Sequence, residues 1–552
     1  MSPGNYDISK HSSDQKYDVI VIGAGIGGLT AAALLAKCKL DVCVVEMASH
    51  PGGYLTRYER KGFSFDSAIH WLNQMGPGGF VKRIFDLIGP DSPKTPENKR
   101  IRRFLSDSYD YTLTNDPDEL RDVMIAGFPD EEKSIRKFFK ASKATADAFR
   151  KMTNHTRTSE TMSLPEKIQS FIRANRAAIP LIRYLPFSAK TGLRRFFGSD
   201  CLKELYSTEE KLLSCMVPVG WAYNNDYQLP PVGGAQALTN WIADKLEAWN
   251  ASIFCNSKVT GINMENGLAT GVSILSKGMT HKIRSSYVIA ACDVESVYTK
   301  LLPEGTLSQR LIKKQQNAEV YNSCVTVSLG LDCPTEELGI FEEQVLIRRD
   351  DITRKEQDSG DPYKTEISVI ANSSRDHTVA PAGKGVLMLY ASCSISHGKF
   401  WKTERDKENN YIRGDAYKSF KQEYADILIK RVEEKLIPGL RNHIEVMDVA
   451  TPITYLRYTG NRDGAIMGFR PSYRNIRNKV AHISTPVKNL YIGSQWAAVG
   501  GGVPIAVKAG VNSALLIIRN EMPEAYKILV KVIDSEVASD KVMSPFLRTE
   551  TI

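Results

Sequence analysis

Residues Asp18 to Asp66 constrain this chain more than any other stretch. Asp18–Ile22 is an apolar run rich in β-branched residues, the composition of a strand buried on both faces of a parallel sheet. Gly23, Gly25 and Gly28 follow at once as G-x-G-x-x-G, with Ile26 and Gly27 at the variable positions. Leu29–Lys37 then has the composition of a helix, and Asp41–Val45 reads as a second strand that runs into Glu46. Each part has a physical job. The first glycine allows a tight turn, the second lets the backbone approach a pyrophosphate, and the third lets helix and strand pack closely. The helix N-terminus offers free N–H groups and a partial positive charge to that phosphate. Glu46 lies about 20 residues past the turn, where an acid accepts hydrogen bonds from a ribose and disfavours a 2′-phosphate. The uncharged run Val19–Ala36 approaches the length of a membrane span, but four glycines crowd its first ten residues, so a strand–turn–helix is the better account.

The bulk numbers narrow the rest. A chain of 552 residues is too long for one simple core, so two domains are expected. A formal charge of +9 is mild for this length and predicts no nucleic-acid partner. Nine cysteines are scattered without a C-x-x-C pair or a Cys/His cluster at zinc spacing. That pattern predicts reduced thiols, a cytoplasm-like compartment and no metal site. Met1–Lys16 is polar, lacks the apolar core of a secretory signal and reads as a loose tail.

A second glycine run lies near the C-terminus. Asn489–Gly493 reads as a short buried strand, and Gly500-Gly501-Gly502-Val503-Pro504 leads into Ile505–Asn520, apolar at helical spacing. Pro504 suits a first helical turn, and a glycine-rich helix start is again an anion site. Between the two runs, Leu229–Gly234 reads as a turn and Gln236–Asn250 as an amphipathic helix. Ala251–Val259, Leu268–Leu275 and Ser286–Ala291 read as strands. The predicted fold class is α/β: a discontinuous Rossmann-type nucleotide domain over 17–75, 229–295 and 485–522. An α+β substrate domain would occupy 76–228 and 296–484, with Tyr321–Leu331 and Val386–Ser394 in its sheet. Residues 1–16 and 523–552 are tails, the latter with a helix over Ala525–Ser535, and Pro523 is expected to end the preceding helix.

The first motif continues through Gly52-Gly53-Tyr54 and Gly62 to Phe63-Ser64-Phe65-Asp66. This extension resembles the flavoprotein superfamily of amine oxidases, phytoene desaturases and carotenoid isomerases. Three passages resemble its branch of carotenoid cis–trans isomerases, bacterial-type phytoene desaturases and retinol saturases. Gly52-Gly53 is followed by Tyr54 rather than the Arg typical of amine oxidases; Phe63–His70 is similar to F-x-F-D-x-G-x-H, with Ala68 in place of the glycine; Thr451-Pro452 precedes Tyr458-Thr459-Gly460-Asn461 and Gly464. The resemblance implies that FAD is held by Gly23, Gly25, Ile26, Gly27, Gly28, Glu46, Met47, Gly52, Gly53, Tyr54, Val259, Gly493, Gly502, Val503 and Pro504. In such proteins the C-terminal helix start faces the flavin N1–C2=O edge, and it would stabilise the negative charge of reduced flavin by about 0.3 to 2 kcal/mol. With Tyr54 in place of Arg, Arg57 and Arg60 are candidates for the missing contact.

The resemblance also implies a long apolar substrate, a polyene, retinoid or other isoprenoid lipid, undergoing saturation, desaturation or cis–trans isomerisation. Saturation and desaturation need an external electron donor or acceptor; isomerisation involves no net electron flow. His70 is the candidate proton donor or substrate-orienting group, and Trp71, Tyr227, Tyr458 and Arg462 are candidate wall residues. The stretch 164–197 carries Lys167, Arg173, Arg176, Arg183, Lys190, Arg194 and Arg195 against one acid, Glu166, interleaved with apolar and aromatic residues. That mixture predicts contact with an anionic membrane surface through short helices broken at Pro180 and Pro186, hence a peripheral membrane association. Two other classes share the fold: amine oxidases acting on soluble amines, and non-enzymatic prenyl-lipid carriers of the GDP-dissociation-inhibitor type.

Overall fold

The structure is a computed structural model that describes residues 16–153, 156–395, 401–407 and 410–534. Its first sheet grows from the opening motif. Strand β1 (Lys16–Ile22) feeds helix α1 (Ile26–Lys37), which returns the chain to β2 (Val42–Val45) parallel to β1. The chain comes back much later as β3 (Ser252–Phe254), β4 (Ser257–Glu265), β5 (Leu268–Ser276) and β6 (Met279–Ala290), and later still as β7 (Leu490–Ile492). The strand order is β3-β2-β1-β6-β5-β4, with β7 also paired to β6. Ile22 lies beside Val45 on one side and Ala290 on the other, and Ala290 lies beside Ile492. The carboxyl ends of these parallel strands therefore finish together. The chain leaves β1 toward β2 and later returns on the opposite side with β6, and ligands of open α/β sheets bind at such a reversal.

The period-two pattern explains why β1 is apolar throughout. Val19 and Val21 enter one hydrophobic cluster, Ile20 and Ile22 the other, one on each face of the sheet. Helix α1 is apolar all round because every residue from Ile26 to Ala36 is buried. The uncharged run at 19–36 is thus a core element, and no helix among the described residues is long and apolar enough to cross a membrane.

The second sheet orders its strands 444–450, 323–331, 385–393, 367–371, 344–347, 100–105 and 110–114. Strands Ser323–Leu331 and Gly385–Cys393 lie within a residue or two of the segments expected from sequence. Helix α2 (Leu164–Ile182) corrects an expectation, because it runs unbroken through Pro180. That proline lies in the last turn, so the hydrogen bond it forfeits and the clash it causes fall where the helix is already ending. The glycine run leads into α3 (Val503–Glu521), which stops before Pro523 as expected. The next residues form α4 (Pro523–Asp534), whose Ala525, Leu529, Val532 and Ile533 are buried, so this part of the expected tail is core. Residues 1–15 and 535–552, the rest of the two expected tails, lie outside the described residues.

Candidate functional site

The glycines of the first motif divide by what surrounds them. Gly23 has φ +102°, a left-handed conformation, with Ala291 O 3.0 Å from where a Cβ would stand. A Cβ on Gly28 would meet Gly23 O at 2.1 Å, and one on Gly27 would meet Gly493 O at 2.5 Å. These positions are closed by the protein itself. Gly25 differs. Its φ of −71° and ψ of 169° suit any residue, and a Cβ there would have nothing within 4 Å. The fold gives no reason for glycine at 25; the open space before it, at the N-terminus of α1, does.

Gly52 and Gly53 lie over this loop. Gly52 N–H donates to Ala24 O at 2.9 Å, and a Cβ on Gly53 would stand 3.2 Å from Gly25 Cα. Glu46 leaves β2 and is buried. Its Oε2 accepts from Ala24 N–H at 2.7 Å and its Oε1 from Ala48 N–H at 2.8 Å. Each oxygen retains a lone pair, so the carboxylate is oriented before any ligand arrives. Met47, Tyr54 and Val259 line the same space. The C-terminal run completes it: Gly502 has φ +83° and precedes Val503 and Pro504, which start α3. The free N–H groups and positive dipole end of α3 therefore face the cavity that α1 faces. Gly493 and Gly28 are not on its wall; a Cβ on Gly493 would strike Ile289 at 2.4 Å, so both serve packing.

The cavity is continuous and about 2600 Å³ in volume. It runs from the glycine cradle past His70, Trp71 and Tyr227 to Tyr458 and Arg462. Trp71 and Tyr227 meet edge to face with centroids 5.5 Å apart. Tyr458 is 60% exposed and forms part of the outer wall. Arg462 borders the cavity, but its guanidinium is committed to Glu295 at 3.2 Å and to the carbonyls of Gln315 and Ala318 at 2.7 and 2.6 Å. It is a clamp as much as a wall. Arg57 and Arg60 are committed too, Arg57 to Asp376 at 3.1 Å and Arg60 to Asp448 at 2.8 Å. Tyr54 is held by donating its hydroxyl to Ala465 O at 2.8 Å and accepting from Asn461 Nδ2 at 3.3 Å.

His70 follows strand Phe63–Asp66, and its ring lies edge-on to Tyr390 at 4.2 Å. Desolvation, with Arg375 and Arg102 nearby, pulls its pKa down from 6.5 to about 3. It is a neutral imidazole near neutral pH, with one N–H to donate and one lone pair to offer, and Nδ1 has no partner among the described residues. Arg375 anchors the segment by donating to His70 O at 2.6 Å.

Two cavity residues went unassigned in the sequence. Asp293 Oδ2 accepts from Ser296 N–H at 2.9 Å, while its buried Oδ1 has no partner among the described residues. Burial raises its carboxyl to about 6. Lys508 also lines the cavity, and burial alone lowers its ammonium to about 8. The available signal was its isolation: Lys508 is the one charge in the run Val503–Ile518. The orphaned Asp293 oxygen, the gap before Gly25, oriented Glu46 and two helix starts together fit a dinucleotide-type cofactor.

The model for the NAD(P)-binding Rossmann-like domain matches residues 21–87. The all-trans-retinol 13,14-reductase of Danio rerio is 25% identical over 93% of this chain and 88% of its own length. The chloroplastic prolycopene isomerase of Daucus carota is 26% identical over 83% of this chain and 72% of its own. Among solved structures, an oxidoreductase from Methanosarcina mazei matches at a TM-score of 0.56 and 19% identity, covering 91% of this chain and all of that one. A redesigned putrescine oxidase matches at 0.58 and 15%, covering 91% of this chain and 99% of its own. These structural likenesses show an amine-oxidase-like fold. The glycine cradle and the sequence relatives support a likeness to the retinol reductases and carotenoid isomerases that share such a fold.

Proposed function

We propose that this protein is an FAD-dependent oxidoreductase acting on the C=C and C–C bonds of a long apolar polyene or isoprenoid lipid, of the carotenoid or retinoid kind. One observation carries the reading: a single cavity joins the glycine cradle to the aromatic wall of Trp71 and Tyr227. Relatives named for retinol reduction and prolycopene isomerisation support it. A bound flavin supplies hydride or electron-pair transfer. The chain's residues do the rest. Gly25, Gly53 and the α1 start receive the pyrophosphate, and Glu46 takes the adenosine ribose. Asp293 Oδ1 accepts a hydrogen bond from a cofactor hydroxyl, and the α3 start stabilises negative charge. Trp71, Tyr227 and the ring of His70 exclude water and position the polyene. Neutral His70 donates or accepts a hydrogen bond at its ring nitrogens and carries no charge into an apolar slot.

The proposed partner is an anionic lipid surface, reached through α2. Its outward face holds Leu164, Ile168, Phe171, Ile172, Ile179 and Ile182, all 45–71% exposed, at i+3 and i+4 spacing. Its inward face is made of smaller residues with Leu181, so the usual amphipathic order is inverted. Lys167, Arg173, Arg176 and Arg183 are exposed, as are Lys190, Arg194 and Arg195 beyond the helix. The single acid, Glu166, is engaged by buried Arg157. Other apolar residues of the stretch, Tyr184, Leu193, Phe196 and Phe197, belong to the protein's own core.

The test is an absorption spectrum of purified protein, then anaerobic dithionite reduction and incubation with retinoids and carotenoids. A flavin band, and reduced protein that alters the polyene spectrum, are expected; product mass separates saturation from isomerisation. Acid precipitation should leave the flavin in solution, because no cysteine lies between Tyr491 and Gly510 to tether it. Turnover of amines instead of polyenes would favour the amine-oxidase reading. A protein that stays colourless after adding FAD would favour a lipid carrier.

A further inference from the structure

The geometry points to a binding site for a borderline-soft divalent cation of the zinc class, formed by Asp332, Cys333 and His443, none of which lines the cavity. Asp332 and Cys333 directly follow strand Ser323–Leu331, and His443 directly precedes strand Ile444–Ala450. These two strands pair antiparallel, with Leu331 opposite Ile444, and Asp332 N–H donates to His443 O at 3.0 Å. The three side chains therefore hang from one locked strand end, and little order remains to be imposed when a ligand binds.

His443 Nδ1 lies 2.9 Å from Asp332 Oδ1 and 3.5 Å from Cys333 Sγ. One donor atom from each residue lies within 4.8 Å of the others. In a nucleophilic Cys–His–Asp relay, thiol and carboxylate would engage opposite ring nitrogens. Here both converge on Nδ1, which rules out a relay in this arrangement and is the convergence a shared cation requires. Zinc bonds of about 2.0 to 2.3 Å in a tetrahedron set donor atoms roughly 3.3 to 3.7 Å apart, a spacing that the 3.5 Å Cys333–His443 pair already meets and the 2.9 Å Asp332–His443 pair approaches. Thiolate, imidazole and carboxylate are a zinc ligand set, whereas calcium and magnesium take oxygen. Asp332 is exposed and His443 part-exposed, so solvent water can take the fourth position. On binding, the Cys333 thiol proton passes to solvent as the metal–sulfur bond forms. The site has no sequence signature because 109 residues separate Cys333 from His443, and it departs from the sequence expectation of no metal.

The test is calorimetric titration of the intact protein, with whatever cofactor it carries, with zinc. One equivalent should bind saturably, and Cys333→Ser and His443→Ala should each weaken binding at least about tenfold. Cys201→Ser, at another partly exposed thiol, should leave it unchanged. Zinc-edge X-ray absorption should show one sulfur ligand in the parent protein and none in Cys333→Ser. Circular dichroism without zinc checks that the variants are folded, and Asp332→Asn supplies a conservative third variant with the same expected loss. Absence of one-equivalent binding, or loss in fewer than both of the Cys333 and His443 variants, overturns the site.

Discussion

Gly25 separates the demands of a cofactor from those of the fold. The backbone angles admit any side chain and a Cβ meets nothing, so Gly25→Val should keep the stability of cofactor-free protein within about 1 kcal/mol. The same Cβ would occupy the pyrophosphate position, so flavin content, read as the ratio of visible to ultraviolet absorbance, should fall to near zero. Normal flavin loading would remove Gly25 from the site. Gly510→Val is the opposite case: its Cβ would stand 2.1 Å from Gly27 O, so that variant should fail to fold. His70 makes a pH prediction. Its native pKa is about 3 against an ordinary 6.5, so between these values the unfolded chain takes up a proton that the native protein does not. This contribution to stability is present above 6.5 and is lost as pH falls toward 3. His70→Gln deletes that loss. Between about pH 7 and about pH 5, urea titrations should show the variant losing about 2 kcal/mol less stability than the parent. Equal losses would mean that His70 titrates normally.

Helix α2 shows that an element's composition can be plain in sequence while its form is not. Proline at 180 argues for a break only if the helix must continue beyond it, and it ends two residues later. One unbroken helix aligns the exposed apolar residues into a stripe that two short pieces would have scattered. Changing Phe171 and Ile172 together to Asp should therefore abolish sedimentation with vesicles containing an anionic phospholipid. It should leave the melting temperature unchanged, because these side chains are 70% and 45% exposed. Arg173→Glu with Arg176→Glu should remove the preference for anionic over neutral vesicles, at about 1 kcal/mol per charge near the surface. Vesicle binding that survives both pairs of changes would assign α2 to another partner. Leu181→Asp should instead destabilise the fold, because that side chain is 3% exposed.

Across the whole molecule, closure of the cavity depends on contacts between distant segments. Asn461 is one node. Its Oδ1 accepts from buried Trp496 Nε1 at 3.1 Å, and its Nδ2 donates to the Tyr54 hydroxyl. It ties the paired-glycine segment to the C-terminal glycine run. Asn461→Ala would leave the indole N–H buried and unpaired, so a loss of about 1 to 3 kcal/mol is expected, seen as a lower urea midpoint. Cofactor retention should fall with it, since both tethered segments line the cradle. An unchanged midpoint would show that the node is solvated.

Much of the nucleotide half was legible because it is local: glycine spacing, β-branched strands and the acid after β2 are consequences of short-range geometry. β1, α1 and β2 fall within a few residues of where periodicity puts them. Residue-by-residue roles were less legible. Motif position separates Gly25 from Gly28, but only the neighbours of Gly27, Gly493 and Ala506, show that its missing side chain makes room for packing. Arg57 and Arg60 read as candidate cofactor contacts and Arg462 as a candidate wall residue, because their partners Asp376, Asp448 and Glu295 lie far away in sequence. The neutrality of His70 arises from desolvation by residues that the chain gathers from several segments. The sequence by itself determined the kind of sheet and its glycine cradle. Tertiary structure decided which charges are spent, which face of α2 is left uncovered and where Asp332, Cys333 and His443 meet, because pairing across long loops depends on packing rather than on spacing.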